Sequence, residues 1–137
     1  ADPNLDFIFF GQDNRSPTDK PEHFAHPNTA VAMTEVWLAL DASGHESLRR
    51  LLLALGAVAG SEAVPVPTEV RAEVYAVRNG RVVVVPAEHQ LHKGRPIIGV
   101  EFRVLNPEAA GSFLGETPAL VAPSSAHGLW LRFEDKP

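Results

Sequence analysis

Twice along this chain an apolar-polar alternation gives way to a helical period. Val36, Leu38 and Leu40 alternate with Glu35, Trp37 and Ala39, the two-residue period of a strand with one buried face. Leu48, Leu51, Leu52 and Leu55 then fall at i, i+3, i+4 and i+7, which is one apolar helix stripe. Ser43 and Glu46 have the spacing of a capping box ahead of that stripe, and Gly56 supplies the left-handed residue that ends it. The plan returns further on. Val100, Phe102 and Val104 alternate with Glu101 and Arg103, and Asn106-Pro107 reads as an N-cap followed by a first helical residue. Ala109, Ala110, Phe113 and Leu114 form a short apolar face before Gly115, so both helices close on Leu-Gly.

The remaining elements fit around these two. "LDFIFFG", Leu5 to Gly11, predicts a first strand rich in aromatic and β-branched residues. The polar stretch up to Thr29 carries three prolines and no apolar period, so it predicts a surface connector. "AEVYAV" and "RVVVVPA" flank Arg78-Asn79-Gly80, a hairpin signal. "PALVAP" and "GLWLRF" predict two closing strands around a turn at residues 124–127. Aligning Val36 with Val100 superposes strand on strand, though few residues are identical. The repeat is architectural, and two copies sharing one sheet fit it better than a solenoid.

Composition narrows the function classes. With 137 residues, 45% of them apolar and 21% charged, the chain is one soluble domain with room for a proper core. Its net charge of −5 and scattered basic residues exclude a nucleic-acid footprint. The chain has no cysteine, which excludes disulfides, thiolate nucleophiles and Cys-ligated zinc, and fits a cytoplasmic protein. The run "LLLALGAVAG" is too short to span a bilayer, and no signal peptide opens the chain. The start at Ala1 rather than Met fits a processed protein or a part of a longer one.

Three stretches, "HPNTAVAMTEVWLAL", "GRPIIGVEFRV" and "AHGLWLRF", resemble the vicinal oxygen chelate superfamily, and within it the glyoxalase-like domains of the glyoxalase, bleomycin-resistance and dioxygenase type. With the helices between them, the resemblance covers residues 30 to 134. It implies an α+β fold: two βαββ(β) modules forming a curved, cup-like mixed sheet with helices on the convex face. Residues 1–29 would be an N-terminal strand and connector loop, and 30–137 the glyoxalase-like domain, with module one at about 30–96 and module two at about 97–137. By strand alternation, Val36, Leu38, Leu40, Val100, Phe102 and Val104 face the helices, as do Leu129, Leu131 and Phe133. Glu35, Trp37, Ala39, Gly99, Glu101, Arg103, Trp130 and Arg132 then face the cup.

Metal-dependent members of the superfamily hold a divalent ion with His, Gln or Glu from the first strand of each module and Glu from later strands. Here the first-strand positions are Glu35 and Gly99, the last-strand position is Trp130, and module one offers only Val82 to Val85. One ligand of that set remains, so the resemblance implies no metal at the usual place. A Zn, Mn, Fe or Ni ion held by Glu35 with His26, His92 and His127 is the alternative. His23-x-x-His26 and His89-x-x-His92 both lie in Pro-bounded loops, where solvated histidines are the plain reading. Glu35 is either a general base with a raised pKa beside Trp37 or one side of an ion pair with Arg103 or Arg132. Trp37, Tyr75 and Trp130 are candidate walls for a small organic ligand. Glu101, Arg103 and Arg132 are candidates for its polar contacts, the arginines selecting an anion or Glu35 a cation. Three functions follow: a metal-free small-molecule binder, a metal-dependent lyase, isomerase or dioxygenase, or a non-catalytic structural half of a larger or homodimeric protein.

Overall fold

The computed structural model describes residues 2–8, 29–65, 69–112, 120–124 and 128–135. Seven strands form one curved mixed sheet, and two helices lie on it. In chain order these are β1 (Ala30–Leu40), α1 (Ala42–Ala54), β2 (Val58–Pro65), β3 (Glu69–Val77) and β4 (Gly80–Pro86), then β5 (Ile97–Val104), α2 (Pro107–Ser112), β6 (Leu120–Val121) and β7 (Trp130–Asp135). The strand order across the sheet is β2-β3-β4-β1-β5-β7-β6. Each module therefore places its last strand parallel to its first, β4 beside β1 and β7 beside β5, and the two modules join through the antiparallel β1–β5 pair. No helix among the described residues is long and apolar enough to cross a membrane.

Val36 and Val100, the residues that superpose the two copies, are direct register partners across β1 and β5. Equivalent residues that face each other in an antiparallel pair place a local two-fold axis between them. That axis makes Glu35 oppose Glu101 and Trp37 oppose Gly99, which sets the chemistry described below.

The helix-facing assignment from alternation holds in both modules. Leu38 and Leu40 pack with Leu48 and Leu52 of α1, and Val104 and Phe133 pack with Ala110 of α2. Each such buried aliphatic side chain contributes about 1.5–3 kcal/mol of transfer free energy. The first helix ends as expected. Gly56 has φ +91, its N–H bonds to the Leu53 carbonyl, and the Ala57 N–H reaches the Leu52 carbonyl, the paired bonds of a Schellman close. Asn106 caps α2 through its Oδ1, which accepts from the Ala109 N–H at 3.1 Å.

Several expectations are corrected. The strand expected at Leu5 to Gly11 is, through Ile8, a 3-10 turn at Pro3–Leu5 capped by Asp2, while Phe9 to Gly11 lie outside the described residues. Leu5, Phe7 and Ile8 are half-buried, packed against the α1 side of the sheet without strand pairing. The N-cap of α1 is Asp41 rather than Ser43. Its Oδ1 accepts from the Gly44 N–H at 2.7 Å, and the Ser43 hydroxyl instead accepts from Asn4. Strand β2 was not foreseen: its Gly- and Ala-rich residues look like the tail of the helical run, yet it pairs with β3 along its whole length. The hairpin closes through Arg78 and Asn79, neither of which has positive φ. Gly80 is needed for a different reason: a Cβ there would lie 2.7 Å from the Thr34 carbonyl oxygen.

The two cap readings separate experimentally. Asp41→Ala should cost about 1 kcal/mol, whereas Glu46→Ala, which removes one side of an exposed pair with Arg50, should cost only a few tenths. Urea denaturation of both variants decides it, and a larger loss from Glu46→Ala would restore the capping box.

Candidate functional site

The concave face changes character along its strands between positions 35 and 37. At one end Trp37, Ala39, Val64, Ala72, Val74, Val83, Val85 and Ile98 form a buried apolar cluster, with Val70, Leu120 and Trp130 packed against it. Trp37 is 1% exposed. This end of the cup is filled by side chains. At the other end, where β1 begins beyond the β3–β4 turn, an open cleft of about 1060 Å³ is lined by Thr34, Glu35, Arg81, Glu101, Arg103, Arg132 and Glu134, with Arg78 at its rim.

Glu35 and Glu101, each 5% exposed, are opposed in register on this face. Like charges so placed repel, and burial makes each carboxylate costly unless it is paired and hydrogen-bonded. Arg132 lies against both. Its NH2 donates to Glu35 Oε1 at 2.8 Å and its Nε donates to Glu101 Oε2. Glu35 Oε1 also accepts from Trp37 Nε1 at 2.9 Å, and Oε2 accepts from Arg81 Nε at 2.9 Å. Glu101 Oε1 accepts from the Thr34 hydroxyl at 2.8 Å. Arg81 turns its remaining nitrogens to Glu62 on β2, NH1 to Oε2 at 2.9 Å and NH2 to Oε1 at 2.5 Å. The result is one lattice, Glu62–Arg81–Glu35–Arg132–Glu101, with the Arg132 guanidinium 5.1 Å from the centre of the Trp37 ring, a cation–π contact. The Glu62 hydrogen bonds push Arg81 above the ordinary arginine range, and Arg81 in turn holds the Glu62 carboxyl below its usual 4.5.

The register also corrects the sequence-level survey of metal-ligand positions. β7 places Trp130 opposite Gly99, and β4 places Arg81 opposite Glu35. The module-one counterpart of Trp130 is therefore Arg81, not one of Val82 to Val85. The four positions to which the resemblance assigns a metal ion carry one carboxylate, one guanidinium, one indole and one glycine. Both oxygens of that carboxylate already accept from N–H donors. A donor set of this kind does not fit a divalent cation, and no group of three or more His, Cys, Asp or Glu among the described residues could hold one. Gly99 answers to packing: a Cβ there would lie 2.5 Å from the Trp37 ring and 3.0 Å from Trp130 Cβ.

Of the residues singled out from sequence, the structure brings together Glu35, Glu101, Arg103 and Arg132 at the cleft. Trp37 and Trp130 face the same side but belong to the apolar filling and do not line the cleft. Tyr75 lies on the opposite, helix-bearing face, where its hydroxyl meets His45 Nε2 at 2.7 Å, and burial raises its pKa. His89 sits in a 3-10 turn beside Glu88, and His92 follows in the loop leading to β5. His23, His26 and His127 lie outside the described residues. Of the two ion-pair partners considered for Glu35, Arg132 is one and Arg103 is not. Sequence reading missed Arg81 and Glu62. Arg81 had a signal, since it follows the Asn-Gly turn at the parity that faces the cup. Glu62 belongs to the strand that was not foreseen.

With this geometry in place, comparison with known proteins is informative about fold. No protein-family model matches the chain, and no curated protein does. Among solved structures, the chain resembles a methylmalonyl-CoA epimerase from Mycobacterium tuberculosis, with a TM-score of 0.59, 16% identity, and coverage of 86% of this chain and 97% of that one. It also resembles the hypothetical protein BH1468 from Bacillus halodurans C-125, with a TM-score of 0.55, 15% identity, and coverage of 77% and 94%. A methylmalonyl-CoA epimerase in complex with methylmalonyl-CoA and ammonium matches with a TM-score of 0.53 at 9% identity, covering 76% and 93%. At these identities the likeness is one of fold: the chain shares the architecture of the methylmalonyl-CoA epimerase structures.

Two measurements test the lattice. Glu35→Gln leaves Arg81 with Glu62 and Arg132 with Glu101, so the loss should fall below that of a fully stranded buried charge, at about 2–3 kcal/mol. Denaturant unfolding checks this, and a change under 0.5 kcal/mol would show the lattice to be inessential. Glu62 has a folded pKa below its unfolded one, so its contribution is complete above the ordinary 4.5 and disappears as pH falls through the lowered value. Glu62→Gln should therefore flatten the acid side of the stability–pH curve below that point while leaving its slope near neutrality unchanged.

Proposed function

We propose that this chain is a small-molecule-binding domain of the vicinal oxygen chelate fold, that its ligand enters the charged cleft, and that the arginine–glutamate lattice stands in place of a metal centre. The observation that carries this reading is the placement of Glu35. The fold offers it as a ligand position, and its oxygens are taken by Arg81, Arg132 and Trp37. The open cleft beside it has the size of a small-molecule site, and a similar fold is known with an acyl-CoA bound.

A purely structural role draws support from the apolar filling at the other end of the cup. The open cleft favours binding over that role. Lyase, isomerase and dioxygenase chemistry, in contrast, would need a reactive group that the lattice leaves free, and Glu35 is not free. Soluble cytoplasmic placement and assembly as a homodimer are part of the same proposal.

Native mass spectrometry of protein purified without chelator tests it. The expected mass is that of the bare chain, and the same spectrum reads monomer or dimer. One divalent ion per chain that is lost in Glu35→Ala would overturn the lattice-for-metal reading. In parallel, amide spectra recorded against a fragment mixture should show shifts at Thr34, Gly80 and Arg132. Shifts confined to other surfaces would overturn the cleft as the ligand site.

A further inference from the structure

The four arginines that line the cleft are not equivalent. Arg81 and Arg132 are committed to Glu62, Glu35 and Glu101. Arg78 is exposed on the β3–β4 turn and solvated at the rim. Arg103 is different again. Its side chain is half-buried, and its Nε is sealed from solvent with no hydrogen-bond partner. Glu134, its register partner on β7, lines the same cleft without accepting from that nitrogen. Across β1 its register partner is Ala32, also in the cleft wall, whose side chain offers that nitrogen no acceptor.

The acids here present no comparable vacancy. Glu35 Oε1 accepts from Trp37 and Arg132, and its Oε2 from Arg81. Glu101 Oε1 accepts from Thr34, and its Oε2 from Arg132. No oxygen of either carboxylate lacks a donor. At Glu35 and Glu101 a cationic ligand would have to displace a donor already bound, whereas an anionic one would meet, at Arg103, a guanidinium that is always charged and whose Nε–H has no acceptor.

We infer that the ligand carries one oxyanion group, a carboxylate or a phosphate monoester, and that Arg103 receives it through parallel N–H···O contacts, with Arg78 attracting it from the rim. This inference rests on the cleft being the ligand site. It assigns to Arg103 alone the selectivity that sequence reading divided between Arg103 and Arg132.

The test is an NMR titration of the full 15N-labelled chain, following arginine Nε–H signals and backbone amides at constant ionic strength. Malonate, inorganic phosphate and the neutral malonamide serve as probes, together with a mixture of uncharged fragments. Saturable shifts of the Arg103 Nε–H and of the Ala32, Thr34 and Gly80 amides are expected with malonate or phosphate and not with malonamide. Saturation by malonate alone identifies a carboxylate ligand, and by phosphate alone a phosphate monoester. Arg103→Gln should weaken that binding at least tenfold. Arg103→Lys, which keeps the charge without the fork, should fall between and also assigns the signal if Arg103→Gln fails to fold. Anion affinity unchanged in Arg103→Gln would overturn the inference. So would cleft amides that respond to uncharged fragments but not to anions, a result that leaves the cleft itself standing. Silence of the cleft toward every probe would overturn both.

Discussion

Two carboxylates on the central strand pair set the terms for the rest of this molecule. Glu35 and Glu101 face each other across β1 and β5, both nearly without solvent, in an arrangement whose repulsion and desolvation would oppose folding if left alone. The answer comes from both modules at once. Arg81, from the last strand of module one, holds Glu35. Arg132, from the last strand of module two, holds both acids. Since β4 and β7 lie on opposite sides of the β1–β5 pair, the charges cannot be balanced unless both parallel crossovers are in register. The lattice is thus a check on topology as well as a source of local stability. Its reach extends to the sheet edge, because Arg81 also ties down Glu62 on β2.

The same lattice divides the cup. Trp37 donates its indole N–H to Glu35 and lies under the Arg132 guanidinium, so its ring closes the polar end and begins the apolar one. From Trp37 onward the concave face is filled by valines from β2, β3 and β4 together with Trp130. Before it, the start of β1 overhangs the β3–β4 turn and leaves the cleft open. Among the described residues, the open cleft therefore lies at the charged end of the cup.

Local periodicity made the β1–α1 and β5–α2 units legible, and with them the assignment of Leu38, Leu40, Val104 and Phe133 to the helix side, because burial against a helix demands alternation. It also brought Glu35, Glu101, Arg103 and Arg132 to one face. Alternation assigns a face, however, and not a depth along the strand, so Trp37 and Trp130 were taken for walls although they are filling. Tyr75 went to the wrong face because its strand was read without a parity anchor. β2 escaped notice since Gly60, Ala59 and Ala63 have little strand propensity of their own, and pairing with β3 supplies what propensity does not. The N-terminal apolar residues satisfied themselves against α1, a tertiary alternative that no local pattern announces.

The pseudo-symmetry explains why one cup has two such different ends. The two-fold between Val36 and Val100 relates Glu35 to Gly99 and Arg81 to Trp130. In one module this pair of neighbouring positions is a carboxylate and a guanidinium, which neutralise each other. In the other it is a glycine beneath an indole, where Gly99 permits Trp37 and Trp130 to approach within a distance that any Cβ would forbid. An ion held on the axis requires both modules to contribute donors of one kind, and here each pair is complete without it. The two equivalent pairs of positions thus differ in chemistry, one facing the open cleft and the other packed in the apolar end. Arg103, two strand residues beyond Glu101 and outside either pair, lines the open cleft with a buried Nε–H that has no acceptor among the described residues.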